Sequence, residues 1–393
     1  MRWRWPAGLS AVLLLGLGAR WLAGPVPGGA TAPAAAPPAP GPASFAALPE
    51  SPAAPDRAAL RRRLAERVRL TEHTYCSYLE QSRYPHDSRP AGHHPDQLHP
   101  NQPVRETHPM RRADGESDGE VVLRTAQSRV YLAAGESAQF ALDALDARGQ
   151  PLALVVTRAV AGGLADGAAR PAPRVTLAFA EEGGAWRGVL APRDGALAGF
   201  HGTIRTEVRY RAAGKEGVAL FDVVYSPTLP AHWRGAAQEA VVDGALRFTL
   251  PLEVRQPGRY VVSGRIDDAR GRPFALATFN EELAAGPQQV HLTVFGKLLH
   301  DGAPPLPLTL RDVEGYLLRE NLDPDRLLLA RREGQVAAGR TASLDGVADQ
   351  EWQSEERSRY LAEYARDRAA ARTALARADP AAALPPDGCA SRH

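Results

Sequence analysis

Six of the eleven histidines fall between His73 and His108, and His93, His94, Asp96 and His99 lie within seven residues of one another. His86, Asp87 and His108 are close by. Neutral imidazole and carboxylate suit Zn²⁺ or Cu²⁺, and ligands so near in sequence need little chain to converge. The spacing nevertheless matches no metal signature. There is no His-Glu-x-x-His, and Pro85, Pro90, Pro95, Pro100, Pro103 and Pro109 forbid the helix that would stack ligands one turn apart. An ordered surface coil with incidental histidines is the simpler reading. No metal ligand is assigned, and periplasmic metal handling by this loop stands as the alternative function.

The other chemistry-bearing clusters are weaker. Asp267-Asp268 and Asp323-Pro324-Asp325 offer oxygens for Ca²⁺, but neither has the ligand alternation and Gly of an EF-hand loop, and turn or cap chemistry accounts for them. There is no Gly-x-Ser-x-Gly elbow, Ser-x-x-Lys, P-loop or dinucleotide fingerprint. No catalytic residue and no cofactor is assigned, the chain is read as no enzyme, and a cryptic hydrolase is the third reading, because convergent triads leave no local signature. Cys76 and Cys389 are the only cysteines. In an oxidising compartment they form a candidate disulfide closing a loop of 312 residues (389 − 76 − 1). Two unrelated thiols is the competing reading.

The elements around these residues emerge from patterning. Net charge is +2, and 44% of residues are apolar, which is ordinary for a globular chain and gives no whole-molecule attraction to nucleic acid. Arg2 and Arg4 precede an apolar run over residues 7–19, too short to span a bilayer and of signal-peptide length. Residues 1–24 are therefore read as a signal peptide or retained N-terminal anchor, placing the protein in the periplasm or cell envelope. Residues 25–55, rich in Ala, Pro and Gly, read as an unstructured linker. Asp56 sits at an N-cap position, and Leu60, Leu64, Val68, Tyr75 and Leu79 give residues 56–84 a helical stripe. The His/Pro-rich coil takes residues 85–119.

Two β-regions come next. In residues 120–233, Ile204, Thr206, Val208 and Tyr210 alternate with Arg205, Glu207, Arg209 and Arg211, and the apolar run 218–225 reads as a central strand. In residues 234–335, Leu246, Phe248, Leu250, Leu252 and Val254 alternate in the same way. The nonapeptide starting at Asp146 (Asp-Ala-Arg-Gly-Gln-Pro-Leu-Ala-Leu) recurs from Asp268 (Asp-Ala-Arg-Gly-Arg-Pro-Phe-Ala-Leu), a spacing of 122 residues (268 − 146). A turn with its flanking strands repeated at a domain-sized interval suggests two related β-domains in tandem. Residues 336–379 read as a C-terminal helical segment and 380–393 as an unstructured tail. The fold class is mainly β: two tandem Ig-like β-sandwiches flanked by an N-terminal and a C-terminal α-helix.

Tyr84-Pro85-His86-Asp87-Ser88-Arg89-Pro90, Pro95-Asp96-Gln97 and Pro100-Asn101-Gln102-Pro103 precede the β-regions, and the second of these carries Phe295-Gly296-Lys297-Leu298-Leu299 and Leu308-Thr309-Leu310-Arg311-Asp312-Val313. Together these resemble a poorly characterised family of exported proteobacterial proteins with tandem immunoglobulin-like domains, a domain of unknown function. The resemblance covers roughly residues 84–332. It implies export and Ig-like folding, and no catalytic residue. The function expected is that of a non-enzymatic exported envelope protein, a binding or structural module. Its partner is an unknown protein or an envelope glycan, with no nucleic acid and no membrane contact beyond an N-terminal anchor.

Overall fold

A computed structural model of the chain describes residues 57–382 apart from 113 and 165–172, together with Leu384 and Cys389. The expected signal segment, the linker, the Asp56 cap and most of the C-terminal tail lie outside the described residues. Helix α1 (Arg57–Gln81) leads into the short strand β1 (Ser88–Pro90). The first sandwich then runs through β2 (Val104–Arg111), β3 (Ser117–Gln127), β4 (Tyr131–Leu132), β5 (Ala138–Asp146) and β6 (Pro151–Leu152). It continues with β7 (Leu154–Gly163), β8 (Arg174–Thr176), β9 (Phe179–Glu182), β10 (Ala185–Leu190), β11 (Gly202–Ala212) and β12 (Lys215–Tyr225). The second sandwich comprises β13 (Ala231–Trp233), β14 (Gln238–Val242), β15 (Ala245–Val254), β16 (Gly258–Asp267), β17 (Pro273–Leu283) and β18 (Gly286–Val294). After the short helix α2 (Gly296–Gly302) it closes with β19 (Thr309–Leu318), β20 (Arg326–Leu328) and β21 (Arg332–Ala338). Helix α3 (Glu355–Ala378) ends the fold. The chain is mainly β, with sandwiches flanked by helices.

In the first sandwich one sheet has the order β2-β3-β5-β10-β9 and the other β4-β12-β11-β7-β8. The stretches β3-β5-β10-β9 and β12-β11-β7 take the A-B-E-D and G-F-C orders of immunoglobulin-type sandwiches. Between the sheets lies a core containing Phe140, Leu142, Ile204, Val208 and Tyr210, with Phe140 stacked on Phe221 at 4.6 Å. Alternation decides which face is inside: Ile204, Thr206, Val208 and Tyr210 are buried on β11, while Arg209 and Arg211 are exposed. The second sandwich sets the sheet β1-β17-β16-β19, with β20 and β21 both on β19, against a smaller sheet built around β15. Phe248, Leu250, Tyr260, Val262, Leu292 and Leu310 fill its core. The Tyr260 hydroxyl lies 2.7 Å from the Gln256 carbonyl, and burial pushes its pKa up to about 12.

Several boundaries differ from the sequence reading. Residues 85–119 are not all coil, since β2 and the start of β3 form an antiparallel ladder there. Pro109 sits within β2 because β2 is an edge strand, where a missing N–H costs no ladder bond; the register shifts at Pro109/Met110, and Met110 reaches the core. Ala231–Trp233 pairs with β15 and so belongs to the second sandwich. The run 218–225 is central only at its end: β12 lies between β4 and β11, pairing with β11 along its whole length but with β4 only at Val224 and Tyr225, and Leu220 is exposed. Residues 336–354 are not helical. β21 pairs with β19, and Leu344 and Val347 beyond it pack on the second core. The glycines at 339 and 346 break any helix there.

The repeated nonapeptide makes the same turn twice. Asp146 Oδ1 accepts from the amides of Arg148 and Gln150 at 2.8 Å, and Asp268 Oδ1 accepts from those of Arg270 and Arg272 at 2.8 and 2.9 Å. Gly149 (φ 81°) and Gly271 (φ 74°) supply the left-handed residue. The strands leaving the two turns differ. After the first copy the chain pairs for two residues as β6 and then crosses to β7 in the opposite sheet; after the second it continues as β17 in the same sheet. The repeat therefore marks a shared turn at non-equivalent positions of two sandwiches, not an equivalent pair of strands.

Helices α1 and α3 pack antiparallel. Val68 meets Ala371 and Leu375; Glu72 forms ion pairs with Arg368, at 2.7 Å, and with Arg372; Tyr78 meets Tyr360 and Tyr364 edge-on at 5.8 and 5.3 Å. Ser354 caps α3 by accepting from the Arg357 amide at 3.0 Å, with Glu355 and Glu356 in the first turn. Leu60, expected on the buried stripe, is instead 42% exposed, because the α3 seam runs along Leu64, Val68 and Glu72.

Candidate functional site

The structure joins Cys76 to Cys389 with a disulfide, tying α1 to the segment after α3. The histidine-rich segment is ordered around two short 3-10 turns, Ala91–His93 and Pro95–Gln97, laid along the second sandwich. Its side chains do not converge: among the described residues no group of three or more His, Cys, Asp or Glu is arranged to hold a metal ion. The metal-handling alternative therefore gains no site. The two acidic clusters are structural as well. Asp268 caps its turn, Asp267 accepts from Arg311 Nε at 2.6 Å, and Asp325 binds Arg326 at 2.6 Å.

The role of the segment is instead to fasten. β1 adds antiparallel to β17 with Ser88 opposite Ala277, the Thr278 amide donates to Asp87 O at 2.8 Å, and Ser88 Oγ accepts from the Phe295 amide at 2.8 Å. Further on, Arg265 donates from Nε to Gln97 O at 2.8 Å, from Nη1 to Asp312 O at 3.0 Å and from Nη2 to Glu314 Oε1 at 2.8 Å. Arg311 Nη1 reaches Leu98 O at 3.0 Å and Asp312 Oδ2 at 2.6 Å, while Asn101 Nδ2 donates to Asp312 Oδ1 at 3.0 Å. Guanidinium groups suit this role, since a rigid fork of donors meets several carbonyls at once. Burial lowers the Arg311 pKa, but the hydrogen bonds to Asp267 and Asp312 outweigh it and hold the group charged. At the other end Tyr84 Oη donates to Asp301 Oδ2 at 2.9 Å. Burial works to raise the Asp301 pKa, yet hydrogen bonds from Lys297 and Tyr84 keep it below the usual carboxylate range.

The short motifs at residues 84–103 and 295–313, far apart in sequence, thus meet as one fastening. Sequence reasoning missed Arg265, whose burial at 5% exposure on an alternating strand left no signal in residue type.

The two sandwiches meet through a second polar seam. Arg326 lies between the rings of Tyr131 (5.3 Å) and Tyr316 (4.7 Å). Arg331 Nη2 donates to Tyr131 O at 3.1 Å, the Leu328 amide donates to Ser226 Oγ at 3.2 Å, and Arg319 Nη1 stands 3.0 Å from His201 Nδ1. Burial first, and then the Arg319 charge, lower the His201 pKa, so the ring is held neutral.

One open recess lies on the outward face of β2-β3-β5-β10-β9. Ala126, Ala141 and Ala180 lie in register across it beside Arg187, with Arg105 at the β2 end of the row. Arg124 and Asp143, paired at 2.6 Å, line the neighbouring row. The small side chains leave a shallow open trough of about 840 Å³.

No family model matches the chain, and no curated protein matches it. Among solved structures it is similar to a protein of the DUF4785 family from Legionella pneumophila, at 14% identity and a TM-score of 0.38, over 55% of this chain and 57% of that one. A three-immunoglobulin-domain fragment of titin aligns at 10% identity and a TM-score of 0.17, over 49% of this chain and 65% of that one. The BSP domain of a biofilm-associated protein aligns at 10% identity and a TM-score of 0.15, over 55% of this chain and 29% of that one. This chain spans a little over half the length of the Legionella protein. At these scores none of the three bears on what this chain does.

Proposed function

We propose that the chain is a non-enzymatic, exported envelope protein, a binding or structural module that takes a protein or glycan partner on the trough of its first sandwich. It would belong with the exported tandem Ig-like proteins that its motifs resemble. The observation that carries this reading is how the charged groups are used. Asp267 and Asp268 are engaged in a salt bridge and a turn, and Arg265 and Arg311 donate into backbone carbonyls of the segment before the first sandwich rather than facing a recess. The trough, lined with small and polar side chains together with Phe179 and Val189 along neighbouring strands, is open along its length and could take an extended polymer. Export is supported by the Arg2/Arg4-led apolar run and by a disulfide, which persists in oxidising compartments.

Two experiments test it. A reporter active only outside the cytosol, fused behind Gly24, should give signal; silence there, with activity from a cytosolic fusion, removes the envelope assignment. Envelope extract passed over the immobilised chain and over an Ala141→Arg variant should leave a partner on the first alone. Equal retention by both removes the trough from the account.

A further inference from the structure

Helix α1 is charged unevenly along its length. Over residues 57–70 it carries Arg57, Arg61, Arg62, Arg63, Arg67 and Arg69 against one acid, Glu66. All six arginines are exposed. The part of α3 packed beside this half adds Arg372 and Arg377 against Asp379. The opposite end of the hairpin, with Glu80, Glu355, Glu356 and Glu363 against Arg357 and Arg359, has the reverse balance. Some of the basic charge is used internally: Arg61 pairs with Asp379 at 2.6 Å, and Arg368 and Arg372 bind Glu72. Arg63 and Arg67 are not, since among the described residues neither side chain has an ion pair. Like charges one turn apart repel, so this pair weakens the isolated helix.

Helical geometry sharpens the pattern. At 3.6 residues per turn, Leu60, Arg63, Arg67 and Leu70 fall within one sector of α1, adjoining the seam of Leu64, Val68 and Glu72 at Leu60 and turning away from it toward Leu70. Leu60 is 42% and Leu70 61% exposed, the two large apolar side chains that this helix shows to solvent among its described residues. A sector joining exposed leucines to arginines without an ion pair offers an anionic bilayer surface both an apolar and a cationic contact. There the leucines enter the acyl boundary and the guanidinium groups meet lipid phosphates. Upstream, the same chain carries the apolar run over residues 7–19, a second membrane-directed element.

We infer that the outer face of the first half of α1 docks on the surface of an anionic phospholipid bilayer, through Arg63 and Arg67 with Leu60 and Leu70. This goes beyond the binding-module reading and does not depend on it: the trough lies on the first sandwich, the docking face on the helical hairpin.

The test is vesicle co-sedimentation of the full chain, with phosphatidylcholine vesicles and with vesicles containing about one third phosphatidylglycerol. The ratio between the two vesicle types is the readout, so that a charge-independent contribution from the apolar run at residues 7–19 cancels. The expected result is at least tenfold tighter binding to the anionic vesicles at low salt, falling as salt is raised. Arg63→Glu/Arg67→Glu should abolish that preference, and Leu70→Ser should weaken binding to anionic vesicles several-fold. Arg148→Glu/Arg158→Glu, two exposed positions of the first sandwich away from the trough, makes the same change in net charge and should keep the preference. Circular dichroism of each variant should match the parent. Equal binding of the parent to both vesicle types overturns the inference. So does an equal loss in the helix and sandwich variants, which would make the effect one of net charge alone.

Discussion

The two sandwiches place their charges in opposite ways. On the first, arginines form ladders in water: Arg205 binds Asp222 through two bonds of 2.8 and 2.6 Å, Arg209 meets Glu207, and Arg211 meets Glu216, all substantially exposed. On the second, Arg265 and Arg311 turn inward, beneath a segment that arrives from before the first sandwich in sequence. The chain lays residues 84–102 on the second sandwich, builds the first, and then returns to build the sandwich already covered. A charge in water contributes little to holding that path, whereas a buried one cannot be removed without stranding its partners.

The comparison breaks most easily at its extremes. Arg265→Ala removes a buried guanidinium and leaves the half-buried Glu314 Oε1 and the carbonyls of Gln97 and Asp312 without this donor, and should cost about 2–3 kcal/mol in denaturant unfolding. The turns come next. Gly149 and Gly271 share a left-handed backbone and open space around the position a Cβ would take, so alanine at either should cost about 1–2 kcal/mol, equally in both. Unequal costs would mean that the turns differ in more than their sequel.

The seam between the sandwiches is tested by pH. The His201 pKa is lowered in the folded chain, so its contribution is present above the ordinary histidine value near 6.5. As pH falls through 6.5 and on to the folded value, the unfolded state takes up the proton first and that stability is lost. His201→Gln should flatten the stability curve in this window; an unchanged slope contradicts a neutral, buried ring. Smallest of all, Arg205→Ala should change stability by no more than about 0.5 kcal/mol, because its pair with Asp222 is screened by solvent. If Arg205 proves costlier than Arg265, the contrast between the sandwiches is wrong.

The β-class and the inside–outside sense of β11 and β15 were legible because period-2 alternation is written residue by residue. The pairing of Cys76 with Cys389 was legible as a candidate because no third cysteine competes. Which sheet a strand joins was not legible. The nonapeptide encodes a turn through Asp and Gly, while the crossing to the opposite sheet after β6 is decided by packing further along. β2 was hidden because Pro109 reads as a breaker unless the strand is known to lie at an edge. The clasp was hidden for a different reason: Arg265 and Gln97 lie 168 residues apart, and a backbone carbonyl acceptor leaves no trace in residue type.

Amide hydrogen exchange tests the fastening most directly. Thr278 N–H, bonded to Asp87 O, and Phe295 N–H, bonded to Ser88 Oγ, report on the clasp; Val224 N–H, bonded to Val130 O, reports on the first sandwich. In the parent chain Thr278 and Phe295 should exchange as slowly as the amides of the second core. In Arg265→Ala they should lose protection while Val224 keeps its own. Exchange of Thr278 and Phe295 at the rate of an exposed loop in the parent chain, or no change at either amide in the variant, would contradict the account.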